Sequence, residues 1–203
     1  MSKKLFIIFQ YLLPQFLLSR FAGWMAGCRK SWVKNQLISY FIRRYQVDLS
    51  LAASENLDDY PTFNAFFTRA LKASARPIHA GKEVLINPVD GCISQIGKLE
   101  KNTLLQAKGH NYTLQSLLGL ANSDFSPFQD GSFATFYLAP KDYHRVHLPF
   151  DGKLIQTTYL PGSLFSVNQL ATEKIPQLFT RNERLVCIFE TLVGPMAVIL
   201  IGA

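Results

Sequence analysis

No aspartate or glutamate occurs in the first 47 residues, where eight bases stand: Lys3, Lys4, Arg20, Arg29, Lys30, Lys34, Arg43 and Arg44. The rest of the chain holds all 14 acids against 13 of the 21 bases, so the net charge of +7 belongs to one cationic segment on a near-neutral body. Cysteine is scarce. Cys28, Cys92 and Cys187 are odd in number and far apart, which excludes a CxxC pair, zinc-finger spacing and a disulfide framework, and makes a reducing compartment the default. Charged residues make up only 17% of the 203 positions while 48% are hydrophobic and 13% aromatic, which excludes a disordered chain. The length suits one large domain or two small ones, with ample core.

Long hydrophobic runs are also missing. The uncharged stretch Leu5–Ser19 is 15 residues long and contains Gln10, Pro14 and Gln15, short of the ~20 apolar residues a spanning helix needs. It lacks a small-x-small cleavage site, and helical patterning continues past it, so a signal peptide is not expected. No repeat, Walker A loop, GxGxxG or HExxH is present, and two histidines, His144 and His147, make a poor metal site; none is expected.

What is present divides into three stretches. Residues 1–47 read as two or three amphipathic helices broken near Pro14 and Gly23–Gly27, with Val33, Leu37, Tyr40, Phe41 and Tyr45 at the helical period. Both tryptophans, Trp24 and Trp32, lie there. Bases, interfacial aromatics and an apolar face suit helices lying on an anionic leaflet; packing against the body is the alternative for the same faces, and nucleic acid is not the expected partner. Residues 48–82 read as a polar connector followed by a short helix, Phe63–Leu71, capped by Thr62. Residues 83–203 are strand-rich, with expected strands at Val84–Val89, Phe133–Leu138, Lys153–Leu160, Leu185–Phe189 and Met196–Ile201, and one helix from Thr113 to Leu118 ended by Gly119. The fold class is α+β: N-terminal helices, then a β-rich, sandwich- or barrel-like domain that looks incomplete at its C-terminal end.

Several residues could carry chemistry. His144 and His147 sit in Asp142-Tyr143-His144-Arg145-Val146-His147, and histidine suits proton transfer near neutral pH. Asp90 and Asp142 could orient such a histidine, but Asp90-Gly91 also reads as a hairpin turn and Asp142 as a cap after Pro140. Gly162-Ser163-Leu164-Phe165-Ser166 resembles a nucleophile elbow without its second glycine, and Ser163 reads more simply as a turn residue. Lys108 and Lys141 could form Schiff bases but stand in no phosphate-binding pattern. Arg181-Asn182-Glu183-Arg184 reads as a salt-bridged turn or a site for an anionic group.

Taken together, seven segments in this order resemble one family: Ala22-Gly23-Trp24, Phe63-Asn64-Ala65-Phe66-Phe67-Thr68-Arg69, Pro88-Val89-Asp90-Gly91, Gln106 through Tyr112, Tyr137 through His147, Pro161 through Asn168, and Phe179 through Arg184. The chain resembles bacterial phosphatidylserine decarboxylase proenzymes over essentially its whole length. The resemblance implies decarboxylation of phosphatidylserine to phosphatidylethanolamine through a pyruvoyl group, a ketone that takes the substrate amine as a Schiff base and accepts electrons as carbon dioxide leaves. That ketone comes from a serine in a Leu-Gly-Ser-Thr motif, which attacks the preceding carbonyl and splits the chain into β and α chains. By the same resemblance Asp90 orients His147, His147 is the base of self-cleavage, and His144 serves the substrate, as the acid that reprotonates the α-carbon. The implied partners are an anionic phospholipid membrane, phosphatidylserine, the α chain, and a second copy in the complete enzyme. The implied location is the cytoplasmic face of the cell membrane, peripherally bound. The sequence departs from the family in having no Leu-Gly-Ser-Thr and in carrying Ala65 where Glu is usual. These 203 residues alone are therefore expected to be a truncated proenzyme, unable to process or decarboxylate. A non-catalytic membrane-associated remnant is the alternative.

Overall fold

The structure is a computed structural model that describes residues 3–79, 81, 84–99, 103–107, 110–119 and 126–203. Three helices lead: α1 (Lys3–Leu12), α2 (Gln15–Ala26) and α3 (Ser31–Tyr45). Pro14 has no N–H to continue α1, and α2 restarts immediately beyond it. Among the described residues no single helix is long and apolar enough to cross a membrane; α1 and α2 pass that test only together, across a bend of 86°. Next come α4 (Phe63–Phe67), β1 (Cys92–Lys98), β2 (Thr103–Ala107), β3 (His110–Thr113), α5 (Leu114–Leu118), β4 (Ser132–Tyr137) and β5 (Gly152–Leu160). The chain continues with α6 (Gln169–Lys174), α7 (Leu178–Arg181), β6 (Arg184–Thr191) and β7 (Gly194–Ile201). The result is an α+β mixture. Its described strands form three open sheets, β1-β4, β2-β3 and β5-β6-β7, and none closes into a barrel.

The chain divides into two compact units. The first takes residues 1–17, 93–135 and 151–203. Its core gathers Leu104, Tyr112, Leu114, Leu118, Phe165, Ile175, Leu178 and Val186, with Phe6 and Ile7 of α1 packed against it. Each such side chain, removed from water, contributes about 1.5–3 kcal/mol. The β5-β6-β7 meander is antiparallel with a bulge at Ile155, and a two-residue loop, Leu192-Val193, joins Thr191 to Gly194. Gly194 takes a φ of +112°, open to glycine alone. Pro195 sits opposite Glu190 on an edge strand, where its missing N–H breaks no ladder. The expected helix at 114–118 is present, with the Thr113 hydroxyl accepting from Ser116 N–H and Gly119 in the left-handed region.

The second unit takes residues 18–92 and 136–150. Its core is Ile38, Val47, Tyr60 and Phe66, with Phe41 and Phe63 packed against it. α4 starts where expected: the Thr62 hydroxyl accepts from Ala65 N–H at 3.1 Å. Lys34 of α3 is buried, and its ammonium donates to the Leu57 carbonyl at 3.0 Å, closing the turn at Leu57–Asp59.

Two local expectations are corrected. Val84–Val89 forms no strand. Ile86 N–H donates to Pro149 O and His147 N–H to Pro88 O, but Pro88 and Pro149 have no donor to extend those bonds into a ladder. Asp90-Gly91 is a bend leading into β1 and not a hairpin turn. Gly91 is needed for a different reason: a Cβ there would lie 2.5 Å from the Tyr137 carbonyl oxygen.

Candidate active site

The expected site residues lie on two loops of the second unit, 88–91 and 139–147, joined by the 2.8 Å bond from His147 N–H to Pro88 O. The second loop is shaped at its start by Asp142, whose carboxylate accepts from Ala139 N–H at 2.7 Å, so Asp142 does cap the turn after Pro140. Beyond it, residues 143–148 are neither helix nor strand, so the spacing of the two histidines obeys neither period.

His144 is half-buried against the Phe67 ring, with centroids 4.0 Å apart. Its Nδ1 lies 2.8 Å from the Asp142 carbonyl oxygen. A carbonyl only accepts, so Nδ1 carries the proton and Nε2 holds the free lone pair. Burial pushes the His144 pKa below its ordinary value, and the bond to the Asp142 carbonyl only partly opposes this. At neutral pH it is therefore an uncharged imidazole.

His147 is exposed, and its Nε2 lies 3.1 Å from the hydroxyl of buried Tyr143, with the two rings stacked at 5.6 Å. Asp90 is held elsewhere. Its carboxylate accepts both Nε of Arg76 at 2.8 Å and Nη2 of the same residue, a two-point fork. That bond raises the Arg76 pKa. The structure thus bonds the His147 backbone to Pro88, two residues before Asp90, while the Asp90 carboxylate bonds to Arg76 and the His147 imidazole to Tyr143. Catalytic bonds of this kind often form only when the reacting group is in place.

Sequence reasoning missed Arg76, Tyr143 and Arg69. Arg76 stands 14 residues from its partner, and nothing local signals the pairing. Arg69 closes the segment Phe63–Arg69. It is 4% exposed and lies over the Phe66 ring at 5.5 Å, with Nη2 donating to the Lys141 carbonyl at 3.2 Å. With Arg76, Asp90, Asp142, Tyr143, Asp48 and Lys141 it lines a cavity of about 240 Å³.

In the first unit, Ser163 is built into a turn. Its N–H donates to Arg181 O at 2.8 Å and its carbonyl accepts from Glu183 N–H at 2.9 Å. Arg181–Arg184 is not a salt-bridged turn. Arg184 is buried and donates to the carbonyls of Ser116, Leu117, Thr180 and Asn182, satisfying helix ends. Arg181 lies over the rings of Tyr11 and Phe165. Lys108 lies outside the described residues.

Two imidazoles and two carboxylates stand on adjacent loops, the side-chain types that proton-transfer chemistry uses. Residues 63–203 match the family model described as Phosphatidylserine decarboxylase, and residues 5–46 match a second one described as PSD. The chain belongs to the phosphatidylserine decarboxylase family. Among its relatives, the phosphatidylserine decarboxylase proenzymes of Ectopseudomonas mendocina (strain ymp) and Pseudomonas putida (strain GB-1) are 54% identical, and that of Pseudomonas fluorescens (strain Pf0-1) is 53% identical. Each match covers 100% of this chain and 71% of the relative.

Proposed function

We propose that this chain supplies the membrane-bound, self-processing portion of an enzyme that decarboxylates phosphatidylserine. The observation that carries the reading is the loop cluster of His144, His147, Asp90 and Asp142, placed in a chain that aligns along its full length with such proenzymes. The residue set fits a self-derived pyruvoyl group: a solvent-facing imidazole to activate a serine, Asp90 on the loop that the His147 backbone bonds to, and a second, neutral imidazole. When present, that group is an electron-accepting ketone for the carbon that loses CO₂.

The chain's own residues do the rest. His147 takes the proton of the attacking serine hydroxyl. Asp90 steadies the imidazolium once Arg76 yields one of its oxygens. His144, pinned through Nδ1–H to the Asp142 carbonyl, keeps the Nε2 lone pair free. Nε2 takes a proton from solvent and gives it to the substrate carbon from which CO₂ departs, returning to the neutral imidazole. The serine and the α chain come from a Leu-Gly-Ser-Thr segment that is not among these 203 residues.

The N-terminal helices deliver the enzyme to its substrate on the cytoplasmic leaflet. Leu12, Phe16, Leu17, Phe21 and Trp24 project from α1 and α2 at 58–75% exposure, in a segment with eight bases and no acid. Exposed apolar area of this kind, flanked by cations, favours an anionic surface.

The test joins this chain to the part of the E. mendocina relative that it does not span. Release of labelled CO₂ from carboxyl-labelled phosphatidylserine is expected. No release from a folded, processed product would refute the reading. For the membrane, flotation with phosphatidylglycerol vesicles should be lost on deleting residues 1–26; unchanged flotation would contradict it.

A further inference from the structure

We propose that Arg69 and Lys141 form a binding site for the phosphodiester of the lipid headgroup, inside the cavity that Asp90 and Tyr143 also line. The proposal rests on the decarboxylase reading and adds the residues that hold the substrate's phosphate.

The observation is an unsatisfied buried cation. Arg69 is 96% removed from solvent, yet among the described residues its Nε and Nη1 have no hydrogen-bond partner. Buried donors without acceptors are costly and rare in folded proteins. Its guanidinium lies over the Phe66 ring, and Nη2 donates to the Lys141 carbonyl at 3.2 Å, which leaves Nε and Nη1 to another acceptor. Among the described residues no carboxylate lies within ion-pair distance of it. An acceptor arriving from outside the chain resolves this, and the fork of a guanidinium matches two oxygens of a phosphate.

The cavity's other groups select the ligand. Its three bases are Arg69, Arg76 and Lys141, and its three acids are Asp48, Asp90 and Asp142. Arg76 and Asp90 neutralise one another. Asp142 accepts from Ala139 N–H and Asp48 from Ser50 N–H, and both residues line the cavity. Lys141 is exposed and lines the same cavity. The two cations and two anions that remain in about 240 Å³ suit a ligand that carries charges of both signs. A phosphodiester on Arg69 and Lys141, with an ammonium towards Asp142, fits this pattern better than bare phosphate does.

The test is calorimetric titration of the 203-residue chain with glycerophosphoserine and, separately, with inorganic phosphate, repeated on R69K and K141Q. We expect saturable 1:1 binding of glycerophosphoserine and weaker binding of phosphate. R69K should weaken headgroup binding by at least roughly tenfold, because the fork is lost. K141Q should weaken it roughly threefold to fivefold, because the lysine is exposed and screened. Lys141 is at the surface, so K141Q decides the matter if R69K fails to fold. Phosphate binding as tightly as glycerophosphoserine would overturn the lipid as the source. Headgroup binding unchanged in K141Q, or no saturable binding at all, would overturn the site itself. Neither result bears on CO₂ release, which tests the underlying reading separately.

Discussion

Gln106 lies in one of the segments that link this chain to its family, and its role is structural. It is fully buried. Its Nε2 donates to the carbonyls of Thr172 and Ile175 at 2.9 and 2.8 Å, and its Oε1 accepts from Leu178 N–H at 2.8 Å. Thr172 and Ile175 end α6, and Leu178 begins α7, so one side chain caps two short helices whose end groups otherwise lack partners. Gln106→Leu keeps most of the volume and removes all three bonds. An orphaned buried N–H costs about 1–3 kcal/mol, and two carbonyls stripped of donors add roughly as much again. The leucine recovers about 1 kcal/mol through apolar burial. The net loss is on the order of 1–5 kcal/mol, out of the ~5–15 kcal/mol that typifies a domain. Urea unfolding followed by far-UV circular dichroism should show a midpoint lowered by about 0.5 M or more at unchanged slope. A variant that melts with the parent would refute the capping argument.

Three further outcomes follow from the same contacts. Burial holds the His144 pKa below its ordinary value of 6.5, so the unfolded chain binds the proton more readily. The stability this residue contributes is whole above pH 6.5 and declines as pH falls below it. An NMR titration of its Cε1 proton should have a midpoint below 6.5, and a midpoint above that would contradict the burial argument. Tyr112 is pushed up to about 12 from 10.0, chiefly by burial. The stability that Tyr112 contributes is therefore complete below pH 10 and falls by about 2–3 kcal/mol as pH rises towards 12; Tyr112→Phe should remove that part of the alkaline loss in a denaturation series. At Gly162 a Cβ would meet the Asn182 carbonyl carbon at 2.6 Å. Gly162→Ala should cost about 2 kcal/mol or more in melting experiments, and an unshifted Tm would show that the loop yields.

Structure written in local signals was legible. Thr62, Thr113 and Gly119 mark helix ends through caps that involve only neighbours three or four residues away, and Pro14 marks a break by itself. The β5-β6-β7 strands announce themselves as apolar runs between turns. β2 and β3 do not, because the fully buried position in β2 is a glutamine whose value lies in bonds to residues 66 to 72 positions away. Val84–Val89 reads as a strand by composition, but prolines on both facing segments prevent a ladder. At the candidate site, the histidine loop and Asp90 could be named from motifs, whereas the partners they take could not. Arg76 on Asp90, Tyr143 on His147 and the bare guanidinium of Arg69 are products of tertiary folding. Arg184 illustrates the converse. A cation beside acids in the sequence turns out to serve four backbone carbonyls and no acid.

The central claim is that the loop cluster around His147 drives self-processing. Its most direct measurement is the intact mass of the chain fused to the unspanned part of the E. mendocina relative, taken for His147 and for His147→Ala. The account predicts two chains, the smaller blocked by a pyruvoyl group, for the parent, and one unsplit chain for the variant. An unsplit parent, or a variant that splits as fast as the parent, would contradict it.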